Sequence, residues 1–314
     1  MAPPADLAPE PAANADAPTG VALSVIVPSV NGWGDLRGCL DALAAQRDVG
    51  PLDILVVDRC GPVVRDAVRA HFPDAHLLEV PRETTIPAMR HLAFGQARGD
   101  SVAVIEDHVI VPPGWARALL DAQREAPVVG GSVENAATER VVDWAAFLCE
   151  YSHCLPPLAA GPADWLTGNN VVYPRALVAR YADRLRPDQW ENHLHAMMRA
   201  DGVVLTCRPE IRVGHRKRYT VGEYFSQRYL YARSYAGARV AAAGLPKRLA
   251  YGAAAAALPP VLFWRTTSRV VAKGRHRAEL VRGLPLIALF VCAWAAGEVV
   301  GSWFGAGDAL EKVC

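Results

Sequence analysis

The tripeptide Glu106-Asp107-His108 closes the apolar run Ser101-Val-Ala-Val-Ile105. Carboxylates and an imidazole at the end of a buried strand can hold a divalent cation and leave positions open for a diphosphate. Two earlier apolar runs also end in polar groups. Val21–Pro28 leads into Ser29-Val30-Asn31, and Leu52–Val57 leads into Asp58-Arg59. In an open α/β sheet, ligands sit beyond the carboxyl ends of the strands, so these three ends would share one rim. Taken alone, Asp58 reads more readily as a helix cap or turn residue. Acids at two rim positions in the right order point to a site. No G-x-G-x-x-G follows the first run and no G-x-x-x-x-G-K-[ST] occurs, so a bound phosphate would need a cation rather than a backbone cradle.

The elements that must position these groups follow from periodicity. The runs 21–28, 52–57 and 101–105 read as buried strands, with a weaker strand at 76–80. Leu36, Leu40 and Leu43 recur at helical spacing, 63–72 is helical, and Ile86, Met89, Ala93 and Ala97 line one helix face. Strands alternating with helices, and apolar throughout, predict a mostly parallel sheet covered on both faces. Beyond Gly131 the alternation loosens. Helices are predicted over 143–152, 174–182, 188–201 and 220–243, with strands at 203–207 and 211–213.

The whole-chain numbers exclude several classes. Thirty-three Lys and Arg face 32 Asp and Glu in 314 residues, a net charge of +1. Such a chain has no global field to hold a nucleic acid backbone. Seven cysteines with no C-x-x-C pair argue against a disulfide framework or zinc knuckle and fit reduced thiols. The first 20 residues carry seven Ala, five Pro and no basic residue, which predicts a disordered tail rather than a secretory signal.

The hydrophobic fraction of 52% is concentrated at the other end. Leu249–Trp264 lacks charge but contains Pro259-Pro260, and Gly283–Gly307 is apolar apart from Glu298. Between them, 265–282 holds six basic residues against Glu279. A spanning helix needs about 20 apolar residues. The first segment is short and interrupted, so it reads as interfacial or re-entrant, with the basic loop against anionic headgroups. The second segment either spans or re-enters, and Glu298 there requires a polar or basic partner.

Other candidate groups stand farther along. Glu191, His193 and His195 share the helix after Trp190, in a pattern that is not H-E-x-x-H. Glu191 is either a base or one half of a surface pair with His195. His215 ends a strand before Arg216-Lys217-Arg218 and is either a metal or diphosphate ligand or part of a surface cluster. The 220–243 helix is rich in Tyr, and its Arg228 and Arg233 suit forked anion contacts.

Taken in order, Ser24-Val-Ile-Val-Pro28 with Asn31, Leu55-Val-Val-Asp58, Arg90 upstream of Ala97-Arg-Gly-Asp100, Ile105-Glu-Asp-His108 and Pro113-Gly-Trp115 resemble the inverting glycosyltransferases of family 2. Trp165-Leu-Thr-Gly-Asn-Asn170 and Trp190-Glu-Asn-His193 extend the likeness, which covers roughly residues 22–235. The resemblance implies a GT-A fold and a nucleoside diphosphate sugar donor. It places Pro28, Asn31, Asp58, Arg90 and Glu106 about the donor, with Asp58 at the base, and Arg228 joins them as the phosphate-facing guanidinium of the Tyr-rich helix. Asp107 matches the metal-binding acid of the D-x-D motif, with either Glu106 or His108 assisting, and His215, from its place at a strand end, is added as a candidate metal ligand. The cation would be Mg²⁺ or Mn²⁺. Glu191 falls at the catalytic-base motif, whose second acid is here Asn192. Gln227-Arg-Tyr-Leu-Tyr231 departs from Q-x-x-R-W by carrying Leu230 at the Arg position, which speaks against processive polymerisation.

The resulting expectation is a GT-A α/β fold with a Rossmann-like, mostly parallel sheet and C-terminal apolar membrane-associated helices. The domains would be a tail at 1–20, a catalytic domain at 21–245 and a membrane-associated region at 246–314 with a basic loop at 265–282. The function would be metal-assisted, inverting sugar transfer to a lipid-linked or polysaccharide acceptor. Membrane lipids but no nucleic acid would be partners, and the site of action would be the cytoplasmic face of the inner membrane. The alternatives are a non-catalytic membrane scaffold on the same fold or a sugar nucleotidyltransferase. The latter needs a basic residue in the turn Asn31-Gly-Trp-Gly-Asp35, which has none.

Overall fold

The computed structural model describes residues 20–314. All but the last residue of the expected 1–20 tail lies outside the described residues. The first half alternates as read: β1 (Leu23–Ser29), α1 (Trp33–Ala44), β2 (Asp53–Asp58), α2 (Pro62–His71), β3 (His76–Glu79), α3 (Ile86–Gln96) and β4 (Ser101–Val104). Then come β5 (Val109–Ile110), α4 (Trp115–Gln123), β6 (Val128–Asn135), α5 (Val141–Tyr151), β7 (Gly161–Ala163), β8 (Val171–Pro174) and α6 (Arg175–Ala179). The chain continues through α7 (Glu191–Ala200), β9 (Leu205–His215), α8 (Val221–Arg239), α9 (Leu245–Ala255), α10 (Leu258–Lys273) and α11 (Arg277–Phe304). A 3₁₀ turn at Ala309–Lys312 follows.

The strands form one mixed sheet in the order β3-β2-β1-β4-β8-β6-β9-β5, with β7 also paired to β9. The half containing β1 to β4 is parallel. Beyond it β8 runs antiparallel to both β4 and β6, while β6 and β9 are parallel to each other. The parallel half was legible because every residue of β1 is buried, giving the continuous apolar signature of a strand covered on both sides. Side-chain alternation divides the interior. Leu23, Val25 and Val27 join α1, α4, α5 and α11 on one face, and Ile26, Leu55 and Val57 join α3, α6 and α7 on the other.

Three readings change. The strands expected at 203–207 and 211–213 are one strand, β9, which bulges between its Gly130–Cys207 and Ser132–Arg212 pairings, with four β9 residues there against one in β6. Pro259-Pro260 does not interrupt a helix but opens α10, where proline's missing N–H costs nothing. The basic stretch 265–282 is mostly helical, broken only at Gly274 to His276.

The apolar C-terminal helix α11 lies against the sheet domain. Gly297 and Gly301 let it touch α8 backbone to backbone: a Cβ on either would come within 2.3–2.4 Å of the Tyr229 or Arg233 carbonyl oxygen. Glu298, buried in this contact, accepts hydrogen bonds from Arg239 at 2.9 and 3.1 Å. Thr220 and Glu223 form a capping box that starts α8.

Candidate active site

The rim at the carboxyl ends of β1 and β4 is organised by Asp107. Its carboxylate is fully buried and accepts from the Val30 and Asn31 backbone N–H groups at 2.8 Å each and from Asn31 Nδ2 at 2.7 Å. Its remaining partner is His108 Nδ1 at 2.9 Å. All its acceptor capacity is therefore turned into the protein. Asp107, expected as the principal metal ligand, sits behind His108 and ties the β1 loop to the β4 end.

The convergent set is Glu106, His108 and His215, whose ligand atoms all lie within 4.8 Å of one another. Strand pairing explains how residues 107 positions apart meet. β5 runs antiparallel to β9 with Val109 opposite His215, and the Arg216 N–H donates to the His108 carbonyl at 2.9 Å. His108 Nε2 is then 2.9 Å from His215 Nε2 and 3.4 Å from Glu106 Oε2, and His215 Nε2 is 3.9 Å from the same oxygen. Ligands around an ion with bonds of about 2.1 Å lie roughly 3–3.5 Å apart. This donor set therefore fits a divalent cation placed between the two rings.

Charge is strongly coupled here. Burial disfavours a charged His108, but its hydrogen bonds to Asp107 and Glu106 raise its pKa to about 9. Burial and the neighbouring His108 charge push His215 down to about 3, so His108 donates to a neutral His215. Burial raises Glu106, but the His108 hydrogen bond and charge, with His215 and Arg90, outweigh it and hold the carboxyl well below the usual range. Tyr151 Oη and Asn169 Nδ2 donate to Glu106 Oε2 at 3.2 and 3.3 Å.

Arg90, from α3, links this set to the second half of the chain. Its Nη1 donates to Glu191 Oε2 at 2.6 Å, and its Nη2 is 3.7 Å from Glu106 Oε1. Burial opposes its charge, but Glu191 and Glu106 raise its pKa further. Glu191 opens α7 and is itself buried. Gly168, in the Trp165–Asn170 segment, leaves room for the pair: a Cβ there would lie 2.6 Å from Glu191 Oε2. His195 points elsewhere, with Nε2 2.7 Å from Tyr173 Oη, so it does not pair with Glu191.

Other expected residues spread around this centre. Pro28 lines the cleft together with Val30, Arg90 and the Glu106–His108 segment. Asn31 contacts Asp107, and Lys217 donates to the Asn31 side chain. Asp58 is buried farther along the rim, accepting from Ser29 Oγ at 2.8 Å and from Gly61 N and Arg65 Nε at 3.0 Å. Arg228 is not among the cleft-lining residues; its guanidinium stacks 4.1 Å above the Trp294 ring on α11. Sequence reading missed Glu150, which lines the cleft and whose pKa burial raises to about 7 against the pull of Arg228. Its one available signal was a carboxylate near the end of the apolar helix α5.

Sequence reading also missed the strap 305–314. Gly305 and Gly307, at φ 86° and 55°, turn the chain back from α11. Arg59 donates to the Glu311 carbonyl at 3.1 Å and to that of Val313, while Gln227 contacts Lys312 O and Cys314 N at 3.3 and 3.0 Å. Cys314 thereby lines the cleft, in which about 20 Å³ is free.

Residues 24–158, spanning β1 to just past α5, match the family model for glycosyl transferase family 2. The chain carries a family 2 glycosyltransferase domain. That match takes in Pro28, Asn31, Asp58, Arg90 and the Glu106–His108 rim, and stops short of Glu191 and His215. The fold of the transferase is similar to the crystal structure of S. aureus TarS 1-349 in complex with UDP-GlcNAc. The TM-score is 0.50 at 15% identity, over 89% of this chain and 91% of that one. The same S. aureus protein in complex with UDP aligns with a TM-score of 0.49 at 13% identity, over 85% of this chain and 89% of that one. No curated protein matches the chain.

Proposed function

We propose that this transferase moves a sugar from a nucleoside diphosphate donor to a hydroxyl of a lipid-linked or polysaccharide acceptor, with inversion, at the cytoplasmic face of the inner membrane. The observation that carries the reading is the convergence of Glu106, His108 and His215 on the same cleft as the Arg90–Glu191 pair. Glu106, His108 and His215 would hold a divalent cation, which when bound supplies positive charge against the departing diphosphate. Two imidazoles in the set favour Mn²⁺ over Mg²⁺. Asp107 orients His108 from behind, as carboxylates behind ligating histidines do.

Glu191 is the proposed base. It takes the proton of the acceptor hydroxyl as that oxygen bonds to the anomeric carbon and the bond to the diphosphate breaks on the opposite face. Arg90 fixes the carboxylate for that role. Asp58 and Pro28 belong to the nucleotide side of the cleft, and Asn31 and Arg90 brace the groups facing the diphosphate. Arg228 acts from behind, through Glu150. A nucleoside diphosphate sugar cannot enter a space of about 20 Å³, which is about one water. On this reading the donor displaces Cys314, the strap residue that lines that space.

The test is turnover by the purified chain with UDP-, GDP- and dTDP-sugars in Mn²⁺ or Mg²⁺. UDP-GlcNAc comes first, since S. aureus TarS was crystallised with it. Release of nucleoside diphosphate that EDTA abolishes supports the reading. Donor binding without turnover on any acceptor supports a scaffold instead.

A further inference from the structure

Helices α9, α10 and α11 leave an apolar surface in the open. Trp264 and Phe304 are 73% and 74% exposed, and Leu245 and Val281 65% each, with Leu249, Val261, Val271 and Leu289 also exposed. On α10, Val261, Trp264 and Val271 share the side opposite the buried Thr266 and Val270. On α11, the exposed positions Val281, Pro285, Ala288, Leu289, Cys292 and Ala296 follow helical spacing along the side turned away from α8. The surface is continuous at the α9–α11 junction, where Trp303 Nε1 donates to the Leu249 carbonyl at 3.3 Å and Gly252 packs on the indole. Patches of this kind on a folded chain mark an interaction surface.

Charge selects the partner. Residues 245–304 hold eight Lys and Arg and two acids, one of which, Glu298, is buried against Arg239. The chain as a whole is +1, so the rest is net acidic. A second copy would bring like charge onto like charge, whereas an anionic bilayer complements both the apolar surface and its basic rim. Helix α11 is also the one helix among the described residues long and apolar enough to cross a membrane. Spanning would strip it from α8, exposing Glu298 to lipid and opening the contact at Gly297 and Gly301.

We infer that the outer face of α9, α10 and α11 lies in the plane of an anionic lipid bilayer, with Trp264 and Phe304 inserted at the headgroup level and α11 remaining packed on the domain. This deepens the membrane-associated part of the reading above and does not depend on catalysis.

The experiment is co-sedimentation of the full chain with vesicles of phosphatidylcholine alone or mixed with phosphatidylglycerol, without donor. The mixed vesicles retain the chain, and salt releases it. Trp264→Ser with Phe304→Ser lowers the partition at least about tenfold, and Arg265→Glu with Arg282→Glu removes the preference for anionic lipid. All four positions are exposed, so circular dichroism should match the wild type. With brominated lipids, the fluorescence lost in Trp264→Ser is quenched best by bromines near the headgroup. Equal binding to both vesicle types, no binding, or strongest quenching at the bilayer centre would overturn the inference. So would a lipid-free dimer that the Trp264/Phe304 variant dissolves. Vesicle binding is read without turnover, so its failure and the failure of the transferase reading are separate results.

Discussion

The rim of the sheet and the C-terminal helices solve opposite problems. At the rim, polar groups are buried and spend their hydrogen-bonding capacity on one another: Asp107 on Val30, Asn31 and His108, and Glu191 on Arg90. In α9 to α11, apolar side chains such as Trp264 and Phe304 stand in the open. Buried polar networks set geometry and are costly to break. Exposed apolar faces cost little locally and carry meaning only toward a partner. On the readings proposed above, chemistry falls to one half of the fold and membrane contact to the other, and the two halves join where α11 packs on α8 and where the strap reaches the cleft.

The sharpest way to break this comparison is at the proposed base. Glu191→Gln keeps shape and the Arg90 contact but removes basicity, so kcat should fall by about 10²–10⁴-fold with donor affinity little changed. A near-normal kcat would move the role to another cleft carboxylate, with Glu150 the first to test.

Asp107→Ala should act differently from a ligand deletion. It strands the Val30 and Asn31 N–H groups and takes away the carboxylate that keeps His108 charged, so unfolding in urea should show a loss of about 2–4 kcal/mol. An intact fold with lost metal binding would instead make Asp107 a ligand.

The junction should be stiffer than the outer face. In Gly301→Ala, the new Cβ meets the Arg233 carbonyl oxygen at 2.4 Å, and the helices must part, at about 1–3 kcal/mol in thermal or urea unfolding. Ala296, on the exposed side of the same helix, should tolerate Ala296→Ser within about 0.5 kcal/mol. Equal losses at both sites would erase the distinction between inner and outer faces.

The smallest effect is expected at the strap. Deleting 308–314 removes the segment that closes the cleft, and the donor KM should drop on the order of tenfold or less, by the fraction of molecules that were closed. Steady-state kinetics at fixed Mn²⁺ measures it. An unchanged or raised KM would mean that the strap helps to hold the donor.

What the residues alone convey is local. β1, β2 and β4 announced themselves because a parallel strand is apolar on both faces, and the polar groups just beyond them were thereby placed on one rim. Glu106, Asp107 and His108 were visible as neighbours in sequence. The far half was less legible because its strands are short or broken by glycine and proline: Val171–Pro174, Gly130-Gly131 in β6, and Pro209 within β9.

The sequence by itself determined the parallel half-sheet, the rim, the family resemblance and the charge segregation of the C-terminal third, because burial period and charge are properties of a segment. Only the tertiary structure decided which of three adjacent rim residues turns inward. It placed His215 beside His108 through the β5–β9 ladder, set Arg90 between Glu106 and Glu191, and brought the strap across Arg59. Those arrangements depend on strand register and helix docking between segments far apart in the chain, and no local pattern of residues encodes such a pairing.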